Sequence, residues 1–89
     1  MYSKPLLMKL PLIKQIQRTA TAEEINTTIK VLENISEVPS LKPDEIDVIC
    51  EMISNLCGAL EVHESISNGL SEKDALNGFM KKVLGSIDQ

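Results

Sequence analysis

The chain has 89 residues, 43% hydrophobic and 25% charged, a composition that excludes a disordered polymer and leaves room for one domain spanning residues 1–89. Its net charge of −4 weighs against sequence-independent nucleic-acid binding, which rests on neutralising phosphates. Tyr2 and Phe79 are its only aromatic residues, so the core must be built from Leu, Ile, Val and Met.

A chain of this length buries little more than about 60% of the surface its unfolded form exposes, and a second copy is a common way to enlarge such a core. The charge is unevenly spread. Lys4, Lys9, Lys14 and Arg18 occupy the first twenty residues with no acid, whereas residues 21–64 hold ten acids against Lys30 and Lys42. The basic start is expected to complement the acidic middle, of its own chain or of a second subunit.

Residues 1–9 show no periodicity and read as loose or as an N-terminal extension, with Met8 before KLPLIK as an alternative start. Pro and Lys interrupt the opening apolar run, so a signal peptide is not expected. Pro11 suits a first helical position, and Leu12, Ile13 and Ile16 line a short helix ending near Thr19 or Ala20. Thr21-Ala-Glu-Glu24 matches a capping box, opening a second helix over about Ala22 to Glu37. Its apolar stripe is Ile25, Thr28, Ile29, Leu32 and Ile35. Val38 to Pro43 is a connector, because prolines at 39 and 43 push their predecessors out of helical geometry.

Pro43-Asp44-Glu45 starts a long central helix, with Pro at the first position and acids in the first turn. It runs to Ser67, where Asn68-Gly69 supplies a left-handed cap and Leu70 the apolar residue that follows. On a helical wheel Ile46, Ile49, Cys50, Ile53, Leu56, Cys57 and Leu60 share one arc. Val48, Met52, Ala59, Val62 and Ile66 form a second apolar group beside it. Only a strip of Asp47, Glu51, Ser54, Glu61 and Ser65, with Gly58, is left for solvent. A helix apolar over so wide an arc is expected to be covered from at least two directions. Ser71 caps a last helix whose stripe is Leu76, Phe79, Met80, Val83, Leu84 and Ile87, folded back as a hairpin. No run is long and apolar enough to span a membrane.

Chemistry-bearing residues are few. Cys50 and Cys57, seven apart on one helix, stand roughly 10 Å apart along its axis, too far for a disulfide. Among Ile and Leu they read as core thiols, inert and suited to a reducing cytoplasm. His63 is the only histidine and stands well round the helix from Cys57, so one helix cannot bring the two to a metal. The spacing is not Cys-x-x-Cys, and the glycines at 58, 69, 78 and 85 are isolated. No catalytic residue, metal or cofactor is therefore expected. Pro39-Ser40-Leu41 and Gly69-Leu70-Ser71 both fail the Asp-Ser-Leu pattern of an acyl carrier. Lys81 and Lys82 offer too little for a base-reading helix.

Met8-KLPLIK, Pro39-SLKPDEIDVI, Ser54-NLCGALEVH and Asp74-ALNGFMKKVLGSID resemble a family of short uncharacterised proteins from Bacteroidota. Val31-Leu-Glu, Met52-Ile-Ser-Asn-Leu and Phe79…Val83-Leu-Gly-Ser-Ile87 resemble, more faintly, the YejL-like family of small bacterial proteins. The YejL-like resemblance implies an all-helical fold and an intertwined homodimer, with no activity and no catalytic residues to carry over.

The expectation is an all-α domain of about four helices. Ile46, Ile49, Cys50, Met52, Ile53, Leu56, Cys57 and Leu60, with Phe79 and Val83, form its core or dimer face. The function expected is a non-enzymatic cytoplasmic interaction protein, paired with itself and open to a further protein partner, with no membrane or nucleic acid. The alternatives are a thiol-linked redox sensor at Cys50 and Cys57, and a nucleic-acid regulator using the basic N-terminus with Lys81 and Lys82.

Overall fold

A computed structural model describes residues 9–87, with side chains as far as Val83. The expectations for residues 1–8, and for the side chains of Leu84 and Ile87, lie outside the described residues. Four helices follow in order: α1 (Leu10–Thr19), α2 (Ala22–Ile35), α3 (Pro43–Ser67) and α4 (Glu72–Ile87).

Local chemistry sets each boundary. Lys9 is extended, and its carbonyl accepts the amides of Leu12 and Ile13 at 3.0 Å, so α1 starts one residue before Pro11. Ala20 and Thr21 are both extended, which breaks the chain between α1 and α2. The capping box is complete: the Glu24 amide donates to Thr21 Oγ1 at 3.1 Å, and the Thr21 amide donates to Glu24 Oε1 at 2.9 Å. α2 ends at Ile35, two residues short of Glu37, because Ser36 and Glu37 turn into the connector. At the head of α3 the Lys42 amide donates to the Glu45 carboxylate at 2.9 Å. At its foot Gly69 takes φ 111°. The Leu70 amide reaches back to the Ser65 carbonyl at 3.1 Å and the Gly69 amide to that of Ile66 at 3.0 Å. This pair of bonds is a Schellman cap. Ser71 Oγ then accepts the Asp74 amide at 3.1 Å and starts α4.

α3 is the common support, since each of the other helices packs on it. α1 runs beside its C-terminal half, α2 leads to its start through the 36–42 connector, and α4 folds back along it. The core joins Ile13 of α1, Ile25 of α2, Ala59 and Val62 of α3, and Ala75, Leu76 and Phe79 of α4. Gly58 and Ala59 let this happen. A Cβ on Gly58 would stand 2.9 Å from Phe79 Cζ and 3.1 Å from Ile13 Cδ1, closer than carbon atoms sit. The backbone of α3 is thus bare where α1 and α4 converge.

This convergence covers part of the strip of α3 expected to face solvent. Gly58 is buried, and Ser54, Glu61 and Ser65 of the expected solvent strip are half-covered, because α4 folds over that side. Cys50 and Cys57, read from the sequence as core thiols, are exposed. The side that goes inward is the second apolar group, at Ala59 and Val62, with Asn55 between its members.

Candidate interaction surface

The inward stripe of α3 reads Val48, Met52, Asn55, Ala59, Val62, Ile66, spaced alternately four and three residues apart. That spacing keeps all six on one line of the helix, the seam used by helices that pair along their length. Only its C-terminal part is covered. Asn55, Ala59 and Val62 are buried and Ile66 is half-buried against the core, whereas Val48 is 54% and Met52 48% exposed.

The border falls at Asn55. It is 1% exposed. Its Oδ1 accepts the Lys9 amide at 2.7 Å, and its Nδ2 donates to the Glu51 carbonyl at 2.8 Å. The side chain therefore satisfies the first free amide of the segment entering α1 and pins that point to mid-α3. Lys9 Nζ lies 3.6 Å from the Glu51 carboxylate at the same place. Before Asn55, the twelve residues 43–54 of α3 extend roughly 18 Å toward the connector.

Other large apolar side chains are exposed at this end. Val31 and Ile35 of α2 and Val38 of the connector are exposed, as is Leu12 in the first turns of α1. The expected site residues divide accordingly. Ile46, Ile49, Ile53, Leu56 and Leu60 are half-buried, Met52 is on the open stripe, and Cys50 and Cys57 face solvent. Phe79 is spent in the chain's own core beside Gly58, and Val83 packs against that core. Asn55 is not among the expected residues. Its signal is present in the sequence: an amide at an inward position of an otherwise apolar line.

The opposite end is fastened by charge. Arg18 grips the Glu72 carboxylate with two bonds, Nε to Oε2 and Nη2 to Oε1, each 2.7 Å, and Gln17 Nε2 donates to Oε2 as well. The Arg18 hydrogen bond is the chief cause holding the Glu72 carboxyl below the usual carboxylate range, and Arg18 is in turn held above its ordinary value. Of the basic residues, Lys9, Arg18 and Lys82 are engaged within the chain, Lys82 with Glu61. Burial, then the charge of Glu33, pushes the Cys57 thiol up.

His63 lines an open groove of about 270 Å³ with Ala22, Asn26, Leu60, Glu64 and Ser67. Its buried Nδ1 makes no hydrogen bond, so Glu64 and Ser67 share the groove without orienting the ring. Among the described residues no three His, Cys, Asp or Glu side chains converge as metal ligands do, and no helix is long and apolar enough to cross a membrane.

Residues 8–88 match the model of the family of unknown function DUF6952. The chain belongs to that family. No curated protein and no solved structure matches it. The family match spans all four helices and carries no activity with it, so the functional reading has to come from the surface just described.

Proposed function

We propose that this chain is a non-enzymatic interaction module of the cytoplasm that works as a homodimer. The observation that carries the reading is that, among the described residues, five of the seven exposed large apolar side chains, Val31, Ile35, Val38, Val48 and Met52, fall on the second half of α2, the connector and the first half of α3, consecutive along the chain. Scattered surface hydrophobes are ordinary, but a concentration of them marks a surface that another molecule covers. The faint YejL-like resemblance, within a Bacteroidota-type family, points the same way. Light scattering at micromolar concentration tests it: twice the chain mass of 9.8 kDa is expected, and a clean monomer overturns the reading.

The exposure of Cys50 and Cys57 favours a thiol-linked role as a second reading. The raised Cys57 thiol counts against it, since the thiolate is the reactive form. Thiol reactivity of the native protein separates the two readings.

A further inference from the structure

We propose that the open stretch of α3, Val48 and Met52, is the dimer seam, crossed by the same stretch of a second copy running antiparallel. The proposal rests on the homodimer reading and assigns its face, away from the Cys50 and Cys57 arc.

Continuity is the first argument. Val48 and Met52 extend a line whose later members are already packed under α1 and α4. α1 reaches no further than Asn55 because its first amide is bonded there. The next helix along that line must come from elsewhere. A second α3, related by a twofold axis near Met52, places identical apolar residues against each other, as a self-complementary interface requires. Val31 and Ile35 of α2 then flank the crossing on each side.

Charge selects the direction. Asp44, Glu45, Asp47 and Glu51 crowd the first half of α3, while Lys9 stands at the start of α1, whose other cations, Lys14 and Arg18, act on Glu72 at the far end. A parallel crossing would set the acidic ends side by side. An antiparallel crossing carries the acidic end of one α3 past Asn55 of the other, beside the basic start of its α1. Lys9 is well placed there, its side chain 65% exposed despite its contact with Glu51.

The test uses the full chain with Cys50→Ser and Cys57→Ser, into which Val48→Cys or Met52→Cys is placed singly, together with Met52→Asp in the native background. Mild oxidation should join the Met52→Cys variant to its own copy as a covalent dimer, more readily than a chain whose single thiol is the native Cys57. Met52→Asp should halve the apparent mass while helix content by circular dichroism is kept, because the side chain is already half exposed. A native dimer that neither cross-links at 48 or 52 nor responds to Met52→Asp overturns the seam and leaves the homodimer reading standing. A native monomer overturns both. So does a monomer in which the thiol introduced at position 52 is shielded from reagents, which would assign the face to residues 1–8 of the same chain.

Discussion

Asn55 on α3 accepts the backbone amide of Lys9 at 2.7 Å, 46 positions away in sequence. This one buried side chain decides where α1 begins along α3, and so how much of α3 is left uncovered.

Asn55→Ala should cost about 1–2 kcal/mol, since it removes the partner of the part-buried Lys9 amide. Urea unfolding gives the magnitude, and hydrogen exchange gives the place. Amides in the first turn of α1 should lose protection before those of α3. Uniform loss across all four helices would show that Asn55 only fills space.

Two glycines should answer the same substitution with opposite signs. Gly58→Ala adds a methyl group where Phe79 and Ile13 already stand 2.9 and 3.1 Å from its position. Its helix-propensity gain of about 1 kcal/mol should be outweighed by overpacking of about 1–3 kcal/mol. Gly78→Ala meets nothing within 4 Å and should stabilise the protein by about 0.5–1 kcal/mol. Thermal melts of both variants check the pair; equal shifts would remove the close approach from the account of the core.

The Arg18–Glu72 contact should make the hold of α1 on α4 acid-sensitive. Glu72 is held below its ordinary value of 4.5, so the folded state favours its charged form. Its contribution is therefore full above that ordinary value and is lost as pH falls through the lowered one. Glu72→Gln should flatten the part of the stability–pH curve below about pH 4.5 and leave neutral pH little changed, the pair being solvent-exposed. An unchanged acid limb would place the acid sensitivity on other carboxylates.

Cys50 and Cys57 should both react with a thiol reagent in the native protein, Cys57 more slowly because burial and Glu33 raise its thiol. Glu33→Gln should speed Cys57 modestly. Protection of both thiols until denaturation would place them inside an interface and return the dimer face to the Ile46–Leu60 arc.

The limits of α3 were legible in the sequence, from Pro43 to Ser67, because they rest on neighbours along the chain: a proline, two acids, an asparagine and a glycine. The caps at Thr21 and Ser71 were legible for the same reason. Which side of α3 turns inward was not. Both apolar groups were expected to be covered, and nothing in their pattern ranked one above the other. The decision went instead to small residues, since at Gly58 and Ala59 helices approach closely enough to bury Ile13 and Phe79. Cys50 and Cys57 lie away from that approach and stay wet. Gln17 reaching Glu72 joins helices far apart in sequence, and no periodicity encodes such a pair.

α1 is held by two unlike fastenings. At one end a neutral, part-buried amide bond is made at Asn55; at the other, ions meet in water at Glu72. Acid weakens the second without touching the first. The helix can therefore loosen like a hinged flap, swinging from its Lys9 end, and Leu10 and Ile13 near that end would be the last of its residues to leave the core.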